Sequence, residues 1–241
     1  MKKLLVLAAL VVVFASQAVS DVGVKTGSEF IFARVQFNMD RSWIFQTREA
    51  PWHHDYPFSE DLFLTMVSEL TGIHTTRESY QIVQMDSPEI FKYPWVLISE
   101  PGFFSLTDKE IANFREYLTR GGFAVCDDFR GRDLDVLRME MRKVFPGQEM
   151  VRLDVSHPVF NSFYDIPSLV MDPPYYDERF LGGKPEFWGL SDDRGRLVMV
   201  ANQNNDLGEF MEDVDHGEKP LKWSALAIRL MVNYLAYAMT H

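Results

Sequence analysis

Leu118-Thr119-Arg120-Gly121-Gly122-Phe123-Ala124-Val125-Cys126-Asp127-Asp128-Phe129-Arg130-Gly131 is the stretch on which the fold turns. Its first part closes a helix: Ile111, Phe114 and Leu118 share one face, and the glycine pair stops the periodicity. Phe123 to Cys126 is an uninterrupted apolar run, the pattern of a strand buried on both faces. Two carboxylates then stop it. A helix that delivers the chain straight into a buried strand is half of a βαβ unit.

The same grammar extends in both directions. Upstream, Thr107 and Glu110 form a capping box that opens the helix. Trp95-Val96-Leu97-Ile98-Ser99 is a second buried strand, between Pro94 and Pro101. Ser59 is the expected cap of a helix with Leu62, Phe63, Met66, Val67 and Leu70 inward, and Gly72 its expected stop. Strands are expected over residues 30–37 and 81–85. Downstream, a helix over 135–145 ends at Pro146-Gly147, and a short strand follows at 150–153. A further strand, 196–201, is entered by an Asp193-Arg194-Gly195 turn, and a last helix spans about 222–238. Residues 157–184 are rich in Pro, Tyr and Asp and have weak periodicity. Residues 38–59 form a long connection carrying Trp43, Trp52, His53, His54 and Tyr56, of the length that often serves function. The expected fold is α/β, a mostly parallel central sheet with helices on both faces.

The amino terminus reads as a secretory signal over residues 1–20. Lys2 and Lys3 precede an apolar run from Leu4 to Ala15, and Ala18 and Ser20 suit cleavage before Asp21. That run is about 12 residues, short of the roughly 20 that span a bilayer, and no later stretch is apolar enough to do so. Residues 21–241 are then one exported domain, periplasmic or extracellular, with enough chain for one sizeable core. Hydrophobic residues make up 46% of the sequence, which suits a globular domain rather than a disordered one. The net charge of −11 becomes −13 without Lys2 and Lys3, which disfavours nucleic acid and anionic lipid as partners. Glycans and envelope proteins remain. The single cysteine, Cys126, excludes an internal disulfide and cysteine-rich metal sites.

In parallel sheets, ligands bind beyond the carboxyl ends of the strands. That rule nominates Glu100, Asp127, Asp128, Arg130, His157, Asn202 and Asp206 as one acidic crevice, with which a divalent cation is compatible. Asp127 and Asp128 are adjacent and point to opposite sides, so one is expected to accept backbone N–H groups and the other to face the crevice. Cys126 ends an apolar run and precedes two acids, so it reads as buried packing rather than a nucleophile. His157 is a candidate base near the two aspartates. His53 and His54 diverge and are not expected to share a metal. Asn202, Asn204, Asp206 and Asp213 alternate like a calcium loop, but Leu207 stands where that loop needs glycine. Trp43, Trp52, Tyr56, Tyr175, Tyr176 and Trp188 serve equally well as a ligand groove or as lids over the core.

The residues resemble a known family. Phe32-Ala33-Arg34-Val35, Asp55-Tyr56-Pro57, Tyr93-Pro94 and Glu100-Pro101-Gly102 carry part of the likeness. The run from Leu118 to Phe123 into Asp127-Asp128 is its most specific part, followed by His157-Pro158-Val159-Phe160, Asn202 with Asn205-Asp206, Val232-Asn233-Tyr234 and Tyr237-Ala238. On these residues the chain resembles the domain of unknown function 4159 family, similar in fold to class I glutamine amidotransferases. The resemblance implies a flavodoxin-like three-layer sandwich. It also implies a departure. The Gly-x-Cys-x-Gly elbow of amidotransferases is replaced by Asp127-Asp128-Phe129-Arg130-Gly131, so glutamine hydrolysis is not expected. Two functions then stand first: a non-catalytic binding module of the cell envelope, or a hydrolase of a sugar or peptide linkage. The hydrolase would use Asp127 or Asp128 as base or metal ligand, His157 as proton carrier and Glu100 as a second carboxylate. A scaffold for other envelope proteins is the third reading.

Overall fold

A computed structural model describes residues 27–45, 49–54, 56–171, 183–212, 214, 217 and 220–241. The expected signal segment, Asp55, Tyr175, Tyr176 and Asp213 lie outside the described residues. The strands are β1 (Phe32–Gln36), β2 (Tyr80–Gln84), β3 (Trp95–Ser99), β4 (Phe123–Phe129), β5 (Val151–Arg152), β6 (Glu186–Ser191) and β7 (Leu197–Gln203). The helices are α1 (Phe58–Leu70), α2 (Asp108–Thr119), α3 (Asp133–Val144), α4 (Leu207–Glu212) and α5 (Leu221–Thr240).

One seven-stranded sheet runs in the order β2-β1-β3-β4-β7-β6-β5. The neighbours from β2 to β7 pair in parallel, whereas β6 is antiparallel to both β7 and β5. The central strands β3, β4 and β7 are buried along their whole length, as their apolar runs require. Alternate residues of each strand feed two cores. Phe32, Trp95, Leu97, Phe123 and Val125 pack with α1 and α5 residues such as Phe63, Val67, Leu230 and Tyr234. Ala33, Val96, Ile98, Ala124 and Cys126 pack with α2 and α3 residues such as Phe114, Leu118, Leu137 and Met141.

Most local signals behave as their chemistry dictates, but Asp127 and Asp128 do not stop β4, which runs through them to Phe129. The Thr107–Glu110 capping box forms in both directions. Gly121 and Gly147 take positive φ after α2 and α3. Ser59, however, does not cap α1. It sits inside the helix, buried, and its hydroxyl accepts from Arg34 and donates to Glu60. Nor does Gly72 form a left-handed cap; Thr71 ends α1 instead, its hydroxyl bonded to the Val67 carbonyl. β6 was not legible, because Gly189 interrupts its pattern. That glycine admits Leu197 and Leu153, which an added Cβ would meet at 2.6 and 2.7 Å.

Candidate functional site

Among the described residues, three that are not glycine have left-handed backbone, and each lies at the carboxyl end of a parallel strand. They are Glu100 after β3 (φ 49°), Asp128 in β4 (φ 52°) and Asn204 after β7 (φ 54°). Such conformations cost about 1–3 kcal/mol each and tend to mark functional sites. At Asp128 the cause is visible: the β4–β7 register shifts between Cys126 and Phe129, a bulge that re-aims the side chains.

The bulge sends the two adjacent aspartates to different tasks. Asp127 turns into the core. Its Oδ1 accepts from Asn202 Nδ2 at 2.9 Å, and its Oδ2 from the amides of Leu207 and Gly208 at 2.8 and 3.0 Å. Asn202 in turn accepts from the Tyr234 hydroxyl at 3.0 Å. Burial pushes the Asp127 carboxyl up to about 7, against the hydrogen bonds of Asn202, Gly208 and Leu207, which favour the anion. Those donors engage both oxygens, so Asp127 fixes the entry to α4 and offers nothing to a ligand.

Asp128 faces the other way. Its Oδ2 lies 2.8 Å from His54 Nδ1, and its Oδ1 accepts from Arg130 at 3.0 Å. The same His54 nitrogen lies 3.3 Å from Glu100 Oε1. Arg130 also comes within 3.8 Å of Asp206 Oδ2, while Asp206 Oδ1 accepts the Glu209 amide at the start of α4. Burial would raise the Asp128 carboxyl, but the His54 hydrogen bond and the Arg130 charge outweigh it and hold the group below its ordinary value. Glu100 moves upward, chiefly by burial and against its bond to His54.

His54 comes from the long loop over residues 38–59 and was not among the nominated positions. It is placed by Arg34, a buried arginine of β1. Arg34 pairs with Glu60 of α1 and donates to Ser59 Oγ at 3.1 Å and to the His54 carbonyl at 2.7 Å. The loop's length was the available signal; an arginine inside an otherwise apolar strand was a second, since such a charge must be paired.

The nominated residues therefore separate. Glu100 and Asp128 meet at His54, Arg130 holds Asp128, and Asp206 joins through Arg130. Asp127 and Asn202 are buried structural groups. His157 is elsewhere: its ring lies 6.2 Å from that of Tyr237, which packs at 5.6 Å on Phe123, the first residue of β4. It therefore sits toward the amino end of the sheet, where Nδ1 accepts the Val159 amide in a tight turn at 3.2 Å. The expectation of His157 as a base beside the aspartates is corrected accordingly. The reason is that the chain leaving β5 folds back along the face covered by α5. Cys126 is fully buried, and burial, then the Asp127 charge, push its thiol well above the ordinary value. His53 pairs with Glu49 at 3.2 Å, away from the cluster. Leu207, in the place where a calcium loop needs glycine, opens α4.

A cavity of about 560 Å³ lies along β5 and β6, lined by residues such as Leu153, Met171, Lys184 and Phe187. None of the convergent groups lines it; its charged residues are Arg152, Asp154, Lys184 and Glu186, of which Arg152 and Glu186 pair at 3.0 Å.

The model of the domain of unknown function (DUF4159) family matches residues 32–239, from the first residue of β1 almost to the end of α5. The chain belongs to this family. The DUF4159 match encloses His54, Glu100, Asp128, Arg130 and Asp206, so the whole cluster is part of the family domain. A comparison with curated proteins returned no match.

Proposed function

We propose that this DUF4159 protein is an exported binding module of the cell envelope that takes its ligand at the carboxyl edge of its sheet. The observation that carries the reading is the convergence of His54, Glu100, Asp128, Arg130 and Asp206, drawn from separate segments, on one side of the strand tips. Three acids, one histidine and one arginine suit a ligand rich in hydroxyl or amine groups, a glycan or a peptide of an envelope partner. The strand order β2-β1-β3-β4-β7, with apolar faces on both sides, supports a flavodoxin-like three-layer sandwich, in which the strand tips are the usual ligand edge. It also supports kinship with the glutamine amidotransferase-like fold. In that comparison the elbow thiol has no counterpart here: the strained tip residue is Asp128, and Cys126 is sealed in the core. Export rests on the signal-like residues 1–20, with cleavage before Asp21.

The test is direct. Protein recovered from the cell exterior or periplasm is expected to begin at Asp21. Its thermal midpoint is expected to rise with a glycan or envelope peptide, because a ligand of the native state alone stabilises it. Asp128→Asn should abolish that rise. A cytoplasmic, uncleaved chain would overturn the export half; a shift unchanged in Asp128→Asn would overturn the crevice half.

A second reading, hydrolysis of a sugar or peptide linkage, draws on one observation. His54 is oriented by Asp128 at 2.8 Å, the relation of a general base to its carboxylate. His54 takes the proton-carrying role expected of His157. Turnover that is lost in His54→Gln would favour this reading over simple binding.

A further inference from the structure

We infer that His54, Glu100 and Asp128 form a binding site for one first-row divalent cation of the zinc or manganese kind. The inference rests on the crevice reading and names what that crevice holds first. His54 Nδ1, a Glu100 oxygen and an Asp128 oxygen lie within 4.8 Å of one another. Two donors each about 2.1 Å from a metal, at an angle between square and tetrahedral, are about 3.0–3.4 Å apart. The His54–Glu100 separation of 3.3 Å falls in that range, and the His54–Asp128 separation of 2.8 Å lies a few tenths below it. Little movement is needed to admit an ion.

A second observation points the same way. Glu100 Oε2 is buried from solvent and has no hydrogen-bond partner. A buried carboxylate oxygen without a donor is costly, and coordination by Oε2, alone or together with Oε1, would satisfy it. The alternative occupant of the triangle is a proton, carried by His54 or shared between the Glu100 and Asp128 carboxylates. Nδ1 carries only one hydrogen, which cannot serve two carboxylates well and cannot reach the orphaned oxygen at all. A cation meets all three groups at once, and two carboxylates balance its charge.

The surroundings are those of a held ligand set. Arg130 fixes the outer oxygen of Asp128 at 3.0 Å, leaving Oδ2 toward His54. Arg34 fixes the His54 carbonyl at 2.7 Å. Such outer contacts orient metal ligands and often affect affinity as the ligands do. One imidazole with two carboxylates is borderline in hardness. It favours zinc or manganese over calcium, which prefers a larger all-oxygen shell, and over magnesium, which keeps its waters. Three protein ligands also leave positions at which a ligand's hydroxyl or carboxylate could join.

The experiment uses the full purified protein, stripped by a chelator and then dialysed. Titration with zinc or manganese chloride by calorimetry is expected to show one equivalent bound, with a rise in thermal midpoint. Glu100→Gln, which keeps the side-chain shape, should weaken binding by about tenfold or more, and His54→Gln likewise. His53→Gln should leave it unchanged, since His53 pairs with Glu49. Circular dichroism and the melting curve without metal establish that each variant is folded. No saturable binding to wild type, or equal affinity in the folded Glu100→Gln variant, overturns the inference. If metal binding fails on either count but the stripped protein still gives the glycan or peptide shift lost in Asp128→Asn, the crevice reading stands and only the metal falls.

Discussion

Asp127 shows how a buried carboxylate is decided by what it holds. Its oxygens are engaged by Asn202 and by the Leu207 and Gly208 amides. Alanine at 127 would strand three buried donors, so Asp127→Ala is expected to lose about 2–4 kcal/mol of unfolding free energy in urea. Asparagine should cost much less. Its Oδ1 can accept the two amides, and the Asn202 amide can turn over so that its oxygen accepts from residue 127 while its nitrogen donates to the Tyr234 hydroxyl. An equal loss in both variants would mean that the charge, and not the bond pattern, is what α4 needs. Asp128, one residue on, has no such core duty, and its geometry is spent on His54 and Arg130.

At the level of elements, the α2–β4 junction carries the chain into the sheet with no slack. The Tyr117 hydroxyl donates to the Phe123 carbonyl at 3.1 Å and accepts the Phe123 amide at 3.3 Å. Its ring lies against Gly122, where an added Cβ would come within 2.3 Å of Tyr117 Cζ. Both ring and hydroxyl are buried and fixed, so the ring cannot retreat without breaking those bonds. Gly122→Ala is therefore expected to cost about 1–3 kcal/mol by overpacking, read as a lower urea midpoint with unchanged slope. A neutral Gly122→Ala would show that the turn can shift, and with it the start of β4. The α4 element is the counter-example. It is six residues long, and its first amides are taken by Asp127 from across the fold and by Asp206 just before it, so a long-range contact joins a local cap in starting it.

For the whole molecule, the two edges of the sheet carry different kinds of histidine. His54 serves the carboxyl edge. His157 serves folding: its Nδ1 must be unprotonated to accept the Val159 amide. Burial, then the neighbouring charge of His241, lower the His157 pKa. The folded state thus binds the proton less well than the unfolded chain. The stabilisation is present in full above the ordinary imidazole value and is lost as pH falls from there through the depressed folded value. The His157 contribution to stability should accordingly drop between about pH 8 and pH 5.5, while Asp127, whose raised value makes protonation favour the folded state, contributes in the opposite direction. His157→Asn, which keeps an acceptor for the Val159 amide but does not titrate there, should flatten part of that drop. Unfolding curves at the two ends of the range decide it; an identical drop in the variant would remove His157 as a source.

What the sequence by itself determined is the set of elements and the edge at which to look. Short apolar runs such as Trp95 to Ser99 and Phe123 to Cys126 can only be satisfied as strands buried on both faces, and a capping box or a glycine pair marks helix ends through bonds within a few residues. Carboxylates just past those runs had to fall at strand tips. Tertiary structure alone decided which of them meet. His54 and Asp128 are 74 residues apart in sequence, and their contact depends on the Arg34–Glu60 pair pinning the loop and on a bulge that turns Asp128 away from Asp127. His157 was excluded by the path of the chain over the α5 face. Periodicity reports which face of an element is buried; it carries no information about which loops a distant buried charge will draw together.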